Sequence, residues 1–331
     1  MSMFSNNLFS GLHMQPPTAL LLTGFVTILA LMTFTGCVAA RFAAPKSRLA
    51  HALQQLNQRL QSMWSIIVVF SIALLTGGLG SILVFAGCSF LLFREFITIT
   101  PTRRADQRAL FWAFFVILPL QYVILGVNWY GLFIVFIPVY AFLFLPIRIA
   151  VQSDSEKFLE RAAKIQWALM ICVYCVSHAP ALIKLTIPTS EGAGARLLLF
   201  LCIIVEANGV ARQFVNTLWG CHVTSPKAGT PLAAEGVFAG IAASAGLGAV
   251  MSSVTPLTII QAIFMAVLIG LLGSAGQLCL SIIRAERGCE GVVIVHRQND
   301  MLGRTISLCF AAPVFFHMVR LFCMDNKLLL F

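Results

Sequence analysis

Long apolar runs, separated by short segments rich in arginine and lysine, constrain this chain more than any other feature. Only 10% of its 331 residues are charged and 59% are hydrophobic. A soluble domain usually carries about 25% charged residues, so runs of this length must face lipid. Because backbone polar groups find no water in the hydrocarbon core, each run is expected to be a helix. The sequence therefore predicts an all-α polytopic membrane protein.

The apolar runs also set the number of crossings. A helix needs about 20 apolar residues to cross a hydrocarbon core of about 30 Å. This criterion predicts about ten transmembrane helices, at residues 18–40, 64–76, 79–93, 109–125, 130–147, 165–184, 197–217, 236–254, 258–280 and 305–323. The second and third are short and could form one element, but a single crossing at 64–93 would spoil the charge alternation described below.

Residues 47–62 form a further element before the second span. Four leucines recur there at helical spacing, namely Leu49, Leu53, Leu56 and Leu60. This pattern suits an amphipathic helix on the membrane surface, and a solvated linker helix fits it equally well. We therefore divide the chain into an N-terminal unit, 1–63, with one transmembrane helix and this interfacial helix, and a membrane domain, 64–331.

The basic residues orient the spans. With ten spans and the N-terminus outside, 18 of the 22 Lys and Arg residues fall on the cytoplasmic side. This bias follows the positive-inside rule and predicts an integral protein of the bacterial inner membrane. Because the basic residues lie between the spans, the net charge of +10 reports topology and contact with anionic lipid. It does not indicate a nucleic-acid partner.

The last third of the chain carries a recognisable motif. The stretch Gly273 to Arg284 ends a span, and Leu302-Gly303-Arg304 leads into the last one. Arg94-Glu95-Phe96 and Glu206-Ala207-Asn208-Gly209 agree with the same pattern. Over about residues 90 to 322 the chain resembles the CDP-diacylglycerol synthase family, the phosphatidate cytidylyltransferases. The resemblance implies a reaction of CTP with phosphatidate to CDP-diacylglycerol and pyrophosphate, dependent on Mg²⁺, at the cytoplasmic membrane face.

The sequence departs from that family where the chemistry is done. Four positions that the family fills with carboxylates read Gly209, Gln277, Gly291 and Gly303. Mg²⁺ is a hard cation that prefers carboxylate oxygens and substrate phosphates, and nucleotidyl transfer depends on it for electrostatic stabilisation. We therefore expect impaired catalysis and no bound Mg²⁺, and the loss of motif residues argues against CTP binding.

Two other functions remain open at this stage. The metal site could have moved to Asp300, Glu290 and His296, since Asp300 lies one helical turn before Gly303. The remaining acidic residues of the inner loops, Glu95 among them, are set apart from this site. The chain could also be a small transporter, although no repeated half or pair of broken helices is visible.

The residues that survive point to an anionic ligand. Candidates for binding substrate or phosphate are Asn208, Lys227, Glu235, Ser281, Arg284 and Arg304. The planar fork of arginine suits phosphate, so the expected partner is phosphatidate or another anionic phospholipid. The alternative is that these cations only set the topology. Whether the chain forms a homodimer is open.

Overall fold

The structure is a computed structural model that describes residues 16–42, 48–100, 106–151, 156–185, 187, 192–220, 233–286 and 301–323. Within these ranges the chain is helical and contains no strand, which confirms the all-α prediction. The helices are α1 Pro16–Phe42, α2 Arg48–Leu75, α3 Gly77–Ile99, α4 Gln107–Gly126, α5 Tyr130–Ala150, α6 Phe158–Ile183, α7 Ala193–Trp219, α8 Ala234–Met251, α9 Ile259–Glu286 and α10 Met301–Cys323.

Nine helices of the described part, α2 to α10, are long and apolar enough to cross a membrane. The first helix, α1, contributes a shorter apolar stretch, Leu22–Val38. Together they match the predicted number of about ten spans. The protein is therefore an integral membrane protein built as a helix bundle.

The segment predicted as an interfacial helix, 47–62, is not a separate element. It forms the first half of α2, a continuous helix of 28 residues that also contains the predicted span 64–76. No proline or glycine interrupts the helix before Gly77. The C-terminal part of the leucine stripe packs against α1, since Leu60 and Met63 are buried with Leu29 and Leu56 packs against them. Periodicity alone could not show which surface that stripe covers.

The junction of α2 and α3 separates two spans that the sequence could have merged. Gly77 takes a φ of 73°, in the left-handed region that favours glycine. The chain therefore breaks after Leu75 and restarts at Gly77. The prediction of two helices here, made from the charge pattern, is confirmed.

The last helices pack closely through small residues. A Cβ atom added at Gly273 would lie 3.3 Å from Cβ of Ser307, and one added at Gly276 would lie 2.9 Å from the ring of Phe310. Small residues at such contacts let helix backbones approach each other in a membrane. The contact between α9 and α10 brings together the two helices on which the family motif lies.

A buried ion pair ties the start of α4 to α6. The Arg161 Nε donates to Asp106 Oδ1 at 2.7 Å, and the side chains are only 6% and 2% exposed. By contrast, the pair of Lys157 with Glu160 lies 64% and 45% exposed. Burial makes the loss of one partner costly, because the other charge is left uncompensated.

Asp106→Ala is therefore expected to lower the free energy of unfolding by about 3–5 kcal/mol, measured by thermal unfolding in detergent. Lys157→Ala, which breaks the exposed pair, should change stability little. The double variant Asp106→Ala/Arg161→Met should recover most of the loss, because no buried charge remains. Equal stability of Asp106→Ala and Lys157→Ala would contradict this assignment.

Candidate functional site

Helix α7 carries three polar residues into the interior of the bundle. Glu206, Asn208 and Arg212 are 7%, 3% and 6% exposed. Charged and polar groups inside a membrane-spanning helix are costly and require partners. The site is therefore defined by what surrounds these three side chains.

Glu206 pairs with an arginine from α2. Arg59 Nη2 donates to Glu206 Oε2 at 3.4 Å, and Arg59 Nη1 donates to Gln213 Oε1 at 3.4 Å. One turn further along α7, Thr217 Oγ1 donates to Gln55 Oε1 at 3.0 Å. Arg59 is one of the 18 basic residues that the predicted topology places on the cytoplasmic side. In the structure it joins α2 to α7.

The Arg59 guanidinium occupies the space next to Gly209, the first of the four positions at which the family has a carboxylate. A Cβ atom added at Gly209 would overlap with the Nη2 and Cζ atoms of Arg59. A side chain at position 209 would therefore require the end of the Arg59 side chain to shift. Glycine at 209 leaves room for the arginine from α2 beside Glu206.

Two further arginines lie near the pair of Arg59 with Glu206. Arg304 of α10 is close enough to act electrostatically on the Glu206 carboxylate, and Arg212 of α7 is close enough to Arg59 for the two charges to repel. We call Arg59, Glu206, Arg212 and Arg304 the arginine cluster. Within it, Arg212 Nη1 has no hydrogen-bond partner among the described residues.

Asn208 is enclosed where α7, α8 and α9 meet. Its Nδ2 lies 2.8 Å from a Cβ atom added at Gly240 and 2.9 Å from one added at Gly270. Ser274 Oγ donates to Asn208 Oδ1 at 3.5 Å. The resemblance suggested Asn208 as a substrate contact, and the structure gives it a place in the helix packing beside the arginine cluster.

Gln277 forms a polar contact between α9 and α10. Its Nε2 donates to the Gly303 carbonyl oxygen at 2.7 Å and to Ser307 Oγ at 3.2 Å, and Ser307 Oγ donates to the Gly273 carbonyl oxygen at 3.0 Å. Positions 277 and 303 are two of the four at which the resemblance places carboxylates. A carboxylate at 277 could not donate these bonds, because an ionised carboxylate only accepts. In this protein a donor and a backbone acceptor stand at these two positions.

The other candidate site residues of the described part lie at the same end of the bundle as the arginine cluster. Ser281 Oγ donates to the Leu278 carbonyl oxygen of its own helix at 2.7 Å. Arg284 lies in the last turn of α9 and Glu235 in the first turn of α8. The remaining candidates fall outside the described residues: Lys227, Glu290, Gly291, His296 and Asp300. The relocated metal site at Asp300, Glu290 and His296 therefore stays a prediction.

Sequence reasoning missed a second carboxylate of this region. Glu95 Oε2 of α3 accepts the backbone N–H of Leu302 at 3.2 Å, in the first turn of α10. A carboxylate at a helix N-terminus pairs with the unsatisfied N–H groups there. Glu95 had been set apart with the acids of other loops, although the Arg94-Glu95-Phe96 step matched the family. That match was the sequence signal from which a role for Glu95 near the family motif could have been predicted.

The fold and the site define a polytopic helical membrane protein with a buried, arginine-rich polar site on α2, α7 and α10. The chain matches the cytidylyltransferase family over residues 57–322. It is also 30% identical over 274 residues to "Uncharacterized protein YnbB" of Escherichia coli (strain K12), a match that covers 81% of this chain and 89% of that protein. No solved structure matches the chain. The chain therefore belongs to the cytidylyltransferase family, as the resemblance indicated.

The contact at Gly209 yields a direct test. Gly209→Ala should displace the Arg59 guanidinium from Glu206 and lower the free energy of unfolding by about 1–3 kcal/mol, the cost of an unpaired buried group. The matched control is Gly246→Ala in α8, where an added Cβ meets no atom within 4 Å.

Thermal unfolding of both variants, and of each in an Arg59→Ala background, completes a double-mutant cycle. Once Arg59 is shortened, Gly209→Ala should cost no more than Gly246→Ala. An unchanged penalty in that background would show that the guanidinium does not occupy this space.

Proposed function

We propose that this protein holds an anionic phospholipid, phosphatidate or a related lipid, at the arginine cluster and does not carry out the metal-dependent transfer of its family. From the bias of basic residues we also propose that this end of the bundle lies in the cytoplasm and the N-terminus outside. We further propose the bacterial inner membrane as its location. The proposal of lipid binding rests on the arginine cluster. The proposal that transfer is lost rests on the residues at positions where the resemblance places carboxylates.

The observation that carries the proposal is a buried arginine with an unpaired N–H group. Arg212 is 6% exposed, and its Nη1 has no hydrogen-bond partner among the described residues. Arginine does not lose its proton in proteins, so the charge cannot be removed by neutralisation. An uncompensated charge inside the bundle is strongly unfavourable. An anion bound beside Arg212 would balance it.

A phospholipid phosphate suits this cluster better than a soluble anion. Phosphate oxygens accept the parallel N–H groups of a guanidinium in pairs. The cluster lies on helices that are long and apolar enough to span the membrane, so a ligand with acyl chains can reach it from the bilayer. The family resemblance makes phosphatidate the first lipid to expect at such a site.

The replaced positions argue against metal-dependent transfer. Mg²⁺ requires oxygen ligands, carboxylates above all. At Gly209 the described structure holds the Arg59 guanidinium, and at Gln277 it holds an amide that donates to Gly303. Glu206 is paired with Arg59, and Glu95 accepts the N–H of Leu302. These contacts support the proposal that the site does not bind Mg²⁺, because the groups at positions 209 and 277 are cationic or hydrogen-donating.

Replacing two arginines of the cluster tests lipid binding. We expect Arg212→Gln/Arg304→Gln to lose one tightly bound phosphatidate per chain, because the phosphate loses its charged donors. Native mass spectrometry of the full-length protein, released from detergent with phosphatidate or phosphatidylcholine of the same acyl chains, reads the number of bound lipids. Wild type should prefer phosphatidate.

The matched control is Arg94→Gln/Arg108→Gln, which removes two exposed arginines at the same end of the bundle. It should retain phosphatidate like wild type. If the double variant does not purify as a monodisperse protein, Arg304→Gln alone gives the same comparison. Equal phosphatidate retention by the cluster variant and the control would refute the proposed lipid site.

A further inference from the structure

A second cationic site lies at the opposite end of the bundle. The last turns of α4, α6 and α10 and the start of α5 enclose a cavity of about 350 Å³, lined among others by Tyr130, Lys184 and Arg320. Arg304 of the arginine cluster and Arg320 of this cavity lie on the same helix, about 24 Å apart along its axis. The two sites are therefore separate.

Lys184 is held at the cavity by the end of α4. Its Nζ donates to the carbonyl oxygens of Leu125 at 3.0 Å and Gly126 at 2.7 Å. These carbonyls belong to the last turn of α4, beyond which few backbone donors remain, and Leu125 also accepts the N–H of Asn128 at 3.1 Å. An ammonium group carries three N–H donors. Two are used to anchor it, so a third can bind a ligand in the cavity.

Arg320 is held by stacking. Its Cζ lies 3.3 Å from the centroid of the Tyr130 ring, and the Tyr130 hydroxyl lies 3.3 Å from His317 Nδ1. A cation stacked on an aromatic face is stabilised by the ring and keeps N–H groups at its edge. Tyr130 thus positions the guanidinium while leaving it able to bind an anion.

The lining of the cavity is positive. Among the described residues that line it there is no Asp or Glu, while Lys184 and Arg320 are both present. Two cations converging on one cavity without a carboxylate favour an anionic ligand with several acceptor oxygens, such as a phosphate group.

An apolar groove adjoins this cavity on the surface of α4 and α5. The cavity and the groove share Ile124 and Trp129. The groove continues along aliphatic and aromatic side chains, including Val123, Val127, Phe136 and Tyr140. Three of them are more than half exposed: Val123, Val127 and Tyr140. Trp and Tyr are enriched at the level of lipid headgroups. A phosphate-binding cavity that continues into an apolar groove matches an amphiphile rather than a free phosphate.

We propose that this cavity and groove bind one anionic phospholipid of the leaflet at that end of the bundle. Lys184 and Arg320 bind its phosphate, and the groove between α4 and α5 holds an acyl chain. This site is independent of the arginine cluster. The proposal for either site can be refuted without affecting the proposal for the other.

Quenching of Trp129 provides a local measurement. Phosphatidylglycerol with brominated acyl chains, titrated into detergent-solubilised full-length protein, should quench the part of the emission that is lost in Trp129→Phe. We expect Lys184→Gln/Arg320→Gln to raise the lipid fraction needed for half-quenching at least about tenfold, because two charge-assisted bonds are lost. Brominated phosphatidylcholine should quench wild type weakly.

Matched variants separate charge, groove and folding. Lys157→Gln/Arg108→Gln removes two cations at the other end of the bundle and should behave as wild type. Arg320→Lys, which keeps the charge, should retain much of the binding. If the double variant does not purify, the lipid fraction for half-quenching is measured for Arg320→Gln alone. Val123→Phe, which narrows the groove, should weaken binding of the full-length lipid.

Two results would overturn the proposal. The first is equal quenching of Trp129 in wild type and the Lys184→Gln/Arg320→Gln variant. The second is displacement of the lipid by glycerol 3-phosphate at equal concentration, together with no effect of Val123→Phe. That second outcome would make the cavity a site for free phosphate compounds.

Discussion

A charge inside a membrane-spanning bundle must have a partner, and the pair of Arg59 with Glu206 meets this requirement where α2 crosses α7. The pair joins the N-terminal helices to the helices that carry the family motif. The guanidinium also occupies the space that a side chain at position 209 would need. Gly209 thus makes room for a residue 150 positions away in the sequence.

A similar arrangement occurs between α9 and α10, at two other positions where the resemblance places carboxylates. Gln277 donates to Gly303 and Ser307 across the helix interface. Gly273 and Gly276 allow the two helices to approach closely. Donors at these positions favour helix association and disfavour a divalent cation. The cations Arg212 and Arg304 suit a phosphate group. Our proposal of a lipid-binding role rests on these residues together.

The sequence predicted the spans well because a bilayer imposes their length and polarity. The break at Gly77 was predictable from the charge pattern, and the family from motifs whose order and spacing the chain retains. What could not be predicted were contacts between distant helices. The leucine stripe ending at Leu60 has the same periodicity whether it covers lipid headgroups or α1. Arg59 and Glu95 looked like ordinary loop charges, since nothing local reveals that one meets Glu206 and the other Leu302.

We propose that amide and guanidinium groups stand at positions where the family resemblance places carboxylates, and that nucleotide transfer is therefore lost. The most direct measurement is formation of CDP-diacylglycerol from phosphatidate and labelled CTP by the purified protein with Mg²⁺ or Mn²⁺. We predict no product above that of the heat-denatured protein. Product formation by wild type that disappears in Asp300→Ala would contradict the claim, because it would require a working metal site built from other acids.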